Sequence, residues 1–256
     1  MEQELDRVLN LYKKKSETPL QTIERYVLAH PEFKKAKMTY AGRLDPMAEG
    51  LLLVLSGEKN KERDAYTGLD KDYEFEFMLG VDTDTHDVLG KVVSSSDKSL
   101  SESDVKRALA KYIGTFKQKY PAYSSKVVNG IPLFDYARRG KIESIVRPEH
   151  EVAVMKLELL GSRTVSKEAL WENIEAVVTA VDGDFRQKEI LKGWQGFFDG
   201  TDKSEFMIYK AKVSCGSGFY VRQLVSDLGK DLGTGAVTIS ILRTRVGEYR
   251  LEESIK

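Results

Sequence analysis

The chain has 256 residues, 41 % of them hydrophobic, and its 40 Lys+Arg cancel its 40 Asp+Glu. That length can bury a substantial core, the composition is that of an ordinary soluble globular protein, and no apolar run is long enough to span a bilayer. The start, MEQELDRVLNLYKKK, carries acids where a signal peptide needs a basic end and an apolar centre, so a cytoplasmic protein without membrane association is expected.

Thr18-Pro19 followed by Leu20, Ile23 and Val27 predicts a capped amphipathic helix with proline in its first turn. After a basic stretch, Lys34 to Lys37, the segment Tyr40-Ala-Gly-Arg-Leu-Asp-Pro-Met-Ala-Glu-Gly50 reads as a shaped loop, and Leu51–Leu55 as a buried strand. Tyr73, Phe75, Phe77 and Leu79 alternate with the acids Glu74 and Glu76 and then Met78, the pattern of a half-buried strand ending at Gly80. Ser94–Ser103 is a polar loop, and Val105, Leu109 and Ile113 predict a helix after it. Phe134–Arg139 reads as a short helix stopped by Gly140. Val152–Leu160 and Met207–Ser214 read as strands, Lys167–Val181 as a helix, and Tyr220–Leu232 as a helix with a leucine stripe. Strands and helices without a regular βαβ rhythm predict an α+β architecture.

Cys215 is the only cysteine, which excludes an intramolecular disulfide and a Cys-based zinc cluster; its simplest role is that of a half-buried small hydrophobe. His30, His86 and His150 lack metal-ligand spacing, so no metal and no cofactor is expected. Gly80–Gly90 has acids in the manner of a calcium loop but lacks the closing Glu and central Gly, and a polar loop facing a ligand fits it better. From Lys117 to Pro148 seven Lys/Arg (Lys117, Lys119, Lys126, Arg138, Arg139, Lys141, Arg147) face only Asp135 and Glu143. Such a stripe suits a phosphate backbone, although charge alone reads more simply as a solvated surface.

Asp45 sits between a flexible Gly-Arg-Leu turn and the φ-fixing Pro46, a setting for a nucleophile or base if a cation or hydrogen-bond donor keeps it charged. Taken alone, its simpler reading is a loop-closing Asx-turn. In Ser214–Gln223, small residues turn a strand into a helix with Tyr220 and Arg222 near its start, which offers N–H groups and a guanidinium to an anion; a plain tight turn is the bland alternative.

Together these stretches resemble the catalytic domain of TruB-type tRNA pseudouridine synthases. Tyr40–Gly50 is similar to the family's G-x-LDP-x-A-x-G loop and Lys71-Asp-Tyr73 to its K-x-Y motif. Gly80–Gly90 is similar to TDT-x-D-x-x-G, and Pro121–Lys126 with Asn129-Gly130 and Tyr136-Ala-Arg138 to P-x-YSA-x-K…G…Y-x-AR. Gly218–Arg222, Asp227-Leu-Gly229, Leu232-Gly233, Gly235-Ala236 and Leu242–Gly247 resemble its closing run. The agreement holds in register from about Lys13 to Gly247.

The resemblance implies a pseudouridine synthase fold, a mixed, mainly antiparallel central sheet flanked by helices, as one catalytic domain over 1–256. It implies isomerisation of a flipped-out uridine, in the T-loop (position 55) of tRNA, without a cofactor, by a monomer whose partner is RNA. Asp45 would be the catalytic aspartate, Arg222 its partner and Tyr73 the stacking wall; Tyr220, Ile241, Gly42, Arg43 and Leu44 would shape the pocket. Asp87, Lys126, Arg138, Arg139, Tyr40 and Lys71 would meet RNA. Lys13 and Thr18-Pro19 loosely echo the family's N-terminal K-P-x-G-x-T-S, with Lys14 and Ser16 in place of its proline and glycine.

The chain departs from the pattern in places that bear on RNA choice. Tyr40 stands where tRNA-modifying members commonly carry histidine, and Arg43 gives the GRLD form that other pseudouridine synthase families use. The segment 161–205 fills what is usually a short connection, and its Trp194, Phe197 and Phe198 read as packing in preference to an RNA-facing accessory. The chain ends nine residues after Gly247, which reads as a catalytic domain without the C-terminal PUA domain of longer members. The rival readings are a synthase for a different RNA, a non-catalytic RNA-binding or chaperone protein and, more distantly, a glycosidase with two carboxylates.

Overall fold

The computed structural model describes residues 5–256; residues 1–4, the start of the segment weighed as a signal peptide, lie outside them. After β1 (Val8–Lys13), α1 (Pro19–Ala29) begins where predicted. Thr18 Oγ1 accepts from the Gln21 amide and the Gln21 side chain accepts from the Thr18 amide, a capping box with Pro19 in the first turn. β2 (Met38–Ala41) and β3 (Ala48–Ser56) both reach into the segment read as loop, so the true loop is only 42–47. Gly50 is the physical reason. Its φ is +105°, and a Cβ there would lie 2.4 Å from the Arg243 carbonyl oxygen. Glycine thus lets β3 run close to a neighbouring strand instead of ending a loop.

The chain continues through α2 (Arg63–Thr67), β4 (Lys71–Leu79), β5 (Val81–Thr83) and β6 (Val92–Ser95). The predicted alternation holds in β4 for Tyr73, Phe75 and Phe77, which are buried, and breaks at its end, where Met78 is buried and Leu79 half-buried. α3 (Glu102–Ala110) buries Val105 and Leu109 but ends before Ile113, which is exposed because the chain has already turned toward β7 (Gly114–Lys119). β8 (Val127–Val128), β9 (Ile131–Pro132) and α4 (Leu133–Arg138) follow, and Gly140, φ +65°, turns the chain after the helix as predicted. β10 (Glu149–Ser166) and β11 (Glu205–Cys215) are longer than their hydrophobic runs, because 161–166 pairs with 205–210 as an extension of one hairpin. Between them lie α5 (Lys167–Thr179) and α6 (Gln187–Asp199); α7 (Val221–Leu232), β12 (Ala236–Val246) and β13 (Tyr249–Arg250) complete the order.

The nine-stranded sheet runs β1-β3-β12-β4-β11-β10-β7, with β2 added to β3 and β13 to β12. Every pair is antiparallel except β3 with β12. The expected mixed, mainly antiparallel α+β sheet is therefore present. Its one parallel seam pairs Ile241 with Ala48 and Arg243 with Gly50, while β4 sets Tyr73 opposite Arg243 on the other side. Residues far apart in sequence thus meet at the mouth of the 42–47 loop.

The main core packs α7, α3, α5 and α6 against the sheet. Trp194 is fully buried, its indole N–H donating to the Val88 carbonyl at 3.2 Å, and Trp194, Phe197, Phe198, Trp171 and Phe206 form one ring cluster. Cys215 is fully rather than half buried, and burial pushes its thiol up to about 12. Among the described residues no helix is long and apolar enough to cross a membrane.

Candidate active site

The loop carrying Asp45 is held from below by two buried cations. Lys13 Nζ donates to the carbonyls of Ala48 at 2.5 Å and Pro46 at 3.3 Å, and the Ser16 amide donates to Pro46 O at 2.8 Å. Burial depresses Lys13 to about 7, a fall that nearby Asp45 and Glu17 partly oppose. Arg243, fully buried, donates through Nε to Leu51 O at 2.7 Å and through both Nη atoms to Gly42 O at 3.1 Å. A forked guanidinium can tie a carbonyl of the loop to one of the strand that follows at fixed spacing, which a lysine cannot. Gly42 turns the chain here at φ +74°, a left-handed conformation that glycine takes without strain. The loop backbone is therefore clamped while the Asp45 side chain stays 30 % exposed.

Arg222 enters from the first turn of α7 and is almost fully buried. Its Nε donates to Asp45 Oδ2 at 2.8 Å and lies 3.3 Å from Asp87 Oδ2; Nη1 donates to Thr85 O at 2.6 Å and Nη2 to Tyr123 O at 3.5 Å. Burial works against its charge, but Asp45 and Asp87 outweigh that and hold its pKa above the ordinary value. The geometry thus supplies the Asp45–Arg222 pair that the resemblance implies. Asp87 is different from expectation. It is 3 % exposed at the cleft wall, Oδ1 accepting from the Thr85 hydroxyl at 2.6 Å and the Leu89 amide at 2.9 Å, so it steadies Arg222. Burial raises its pKa against the pull of Arg222.

These groups open onto a cleft of ≈ 710 Å³ lined by Gly42, Arg43, Leu44, Asp45, Lys71, Tyr73, Tyr220, Arg222, Ile241 and Arg138 among others. Tyr73, on β4, and Tyr220, ahead of α7, stand on it; burial raises both phenols, Tyr220 to about 12 with Asp45 adding to the rise. A neutral ring offering its face suits a nucleobase. Lys71 borders the cleft but is 5 % exposed, Nζ donating to Thr67 O at 2.6 Å and to Leu69 O, and burial followed by Arg243 lowers it to about 8. With two of its donors on carbonyls it braces the loop before β4, a structural role that the sequence reading did not give it. Tyr40 lies in β2 and packs against the α1 core cluster, away from the cleft. Its ring is spent on packing because strand alternation turns it toward α1. Lys126 and Arg139 are exposed outside the cleft, and Lys126 lies 5.0 Å from the Tyr120 ring.

The sequence reading left Arg243 and Lys13 without roles at the loop, and did not anticipate Tyr123 or the turn Asp184-Phe185-Arg186 in the cleft wall. Arg243 and Lys13 lay inside quoted motifs, so the signal existed. The turn lay in the long segment and carried none.

The sequence profile described as "TruB family pseudouridylate synthase (N terminal domain)" matches residues 30–187. Among curated proteins, the tRNA pseudouridine synthase B of Aromatoleum aromaticum is 32 % identical over 255 residues, 98 % of this chain and 66 % of that protein. That of Fusobacterium nucleatum is 32 % identical over 86 % of this chain and 61 % of its own length, and that of Aquifex aeolicus 29 % over 98 % and 72 %. The chain spans about two thirds or less of the length of the first two relatives. In fold it is similar to a solved Cbf5-Nop10-Gar1 complex, TM-score 0.57 at 16 % identity, covering 95 % of this chain and 49 % of that one. An H/ACA RNP bound to a substrate RNA containing 2'-deoxyuridine gives TM-score 0.55 at 16 % identity, covering 97 % and 50 %. With its signature loops brought to one cleft and its matched length exceeding half the chain, the protein belongs to the TruB family of pseudouridylate synthases.

Proposed function

We propose that this protein is an RNA pseudouridine synthase that isomerises a uridine in the T-loop of tRNA, with Asp45 as the catalytic aspartate. The observation that carries the reading is one accessible carboxylate, 30 % exposed, held at 2.8 Å by a guanidinium that is itself 3 % exposed. In the reaction the C1′–N1 bond of uridine breaks, uracil turns, a C1′–C5 bond forms, and the C5 proton is lost while N1 gains one. Substrate and product are isomers, so no redox partner is required. Asp45 serves either as nucleophile or as the base at the sugar, and Arg222 keeps it aimed. Tyr73 and Tyr220 offer rings to a base that has left its stack, which offsets part of the lost stacking, roughly 1–3 kcal/mol per base.

The basic stripe supports an RNA partner, since Lys117, Lys119, Lys126, Arg138, Arg139 and Lys141 are all exposed. The glycosidase reading loses ground for a specific reason: Asp87, the carboxylate that shares Arg222 with Asp45, is 3 % exposed with both oxygens engaged. We further propose that the chain acts as a monomer in the cytoplasm and that 161–205 is an addition to the common catalytic domain. Pseudouridine mapping of RNA from cells carrying wild-type protein or Asp45→Asn tests the activity. The expected result is loss of modification at a tRNA T-loop uridine; an unchanged map would favour binding without catalysis.

A further inference from the structure

The long segment between β10 and β11 reaches the cleft through a single turn. Trp194 anchors α6 beneath Val88, the Gln21 side chain donates to Asp182 Oδ2 at 3.2 Å, and Ser16 Oγ donates to Val177 O at 3.3 Å. These contacts fix the ends of the turn 182–187. Its middle holds Arg186 at φ +63°, a left-handed conformation that costs a non-glycine residue about 1–2 kcal/mol. What holds it is Asp84: Arg186 Nη1 donates to Asp84 Oδ2 at 2.6 Å, the Tyr123 hydroxyl donates to the same oxygen at 3.1 Å, and the guanidinium carbon lies 4.7 Å from the Tyr123 ring.

The product of this pinning is the position of Phe185. It touches the main core yet stays partly exposed and lines the cleft shared with Asp45. Trp194 and Phe198 are 0 % and 3 % exposed, and Trp171 and Phe197, though partly buried like Phe185, do not line this cleft. The Arg138 guanidinium lies 5.8 Å from the Phe185 ring and 5.5 Å from that of Phe134. An aromatic face with a cation beside it, in a cleft larger than one uracil ring fills, suits an unpaired base with its phosphate.

We propose that Phe185 is a specificity residue that stacks an unpaired nucleotide adjacent to the target uridine, with Arg138 beside it and Arg186 as the positioning residue. The assignment rests on the synthase reading above. Base–aromatic stacking is worth roughly 5- to 100-fold in binding. The probes are two T-arm hairpin RNAs carrying 2-aminopurine directly 5′ or directly 3′ of the target uridine, bound to Asp45→Asn protein so that turnover is blocked. Binding quenches the fluorophore in one of them, Phe185→Ala removes that quench, and Phe185→Tyr retains it; no Phe185-dependent quench at either position overturns the assignment. In the Asp45 enzyme Phe185→Ala raises KM for the unlabelled hairpin roughly 5- to 100-fold, the loss falling on KM, and Arg186→Gln moves KM in the same direction. Phe185→Leu, which keeps the packing volume without a ring face, behaves like Phe185→Ala. If Phe185→Leu equals the parent, or Phe185→Ala lowers kcat at unchanged KM, the residue only packs and the assignment falls. A parent enzyme that makes no pseudouridine in the hairpin overturns the synthase reading instead.

Discussion

Arg222→Met separates what the buried guanidinium does for the fold from what it does for Asp45. The change removes a cation within 3.3 Å of two carboxylates, but the two are left in different environments. Asp45, 30 % exposed, rehydrates; Asp87, 3 % exposed, keeps only its Thr85 and Leu89 partners. Breaking a buried pair from one side costs about 3–5 kcal/mol, most of it from the stranded charge. We therefore expect a loss of about that size at pH 7. Asp87→Asn introduced into Arg222→Met should restore roughly 2 kcal/mol or more, because no charge is then stranded, whereas in the wild-type background it destabilises. Burial already raises the Asp87 pKa, and removing Arg222 raises it further. A carboxylate with a raised folded pKa favours the fold when protonated and loses that favour as pH rises through the folded value, so the Arg222→Met deficit shrinks from pH 7 to pH 5. Urea melts of the four proteins at both pH values, with pseudouridine formation measured in parallel, give the cycle. The double variant should fold well and remain inactive. Single effects that add within about 0.5 kcal/mol, or an active double variant, would refute the reasoning.

Lys13→Met should change the pH profile of stability. With Lys13 at about 7 in the fold and its ordinary value near 10.5 in the unfolded chain, the unfolded state holds the extra proton between these limits, so the lysine's contribution improves as pH rises. The stability difference between wild type and Lys13→Met should move in favour of wild type from pH 7 to 10, and parallel curves in urea would contradict the buried-cation account. Trp194→Ala should cost about 3–5 kcal/mol by leaving a cavity in the ring cluster, whereas Trp194→Phe should lose little beyond the bond to Val88 O. Thermal unfolding distinguishes them, and near-equal losses would mean that the hydrogen bond dominates.

The class of fold, the elements α1, β4, α3, α5 and α7, and the presence of Asp45, Tyr73 and Arg222 in one kind of site were legible in the sequence, whereas β1, β2, α6 and β12 were not read from it. Alternation and helical spacing report burial locally, as in β4 and α7, and motif glycines mark positions that only glycine occupies. The full length of β10 was not legible, because its outer part, 161–166, pairs through backbone hydrogen bonds with mostly exposed side chains and so leaves no apolar pattern. Nor was the difference between Asp87, Lys71 and their exposed counterparts. A charged residue looks the same in sequence whether it meets solvent or a buried partner, and only the parallel seam of β3 with β12 and the entry of α7 decide which it is. The same holds for Phe185. Its neighbours in sequence seal a core, while a left-handed Arg186 tied to Asp84 brings this ring to the cleft. Local chemistry is written residue by residue, but charge burial and cleft walls arise from pairings between distant segments, whose free energy no single stretch contains.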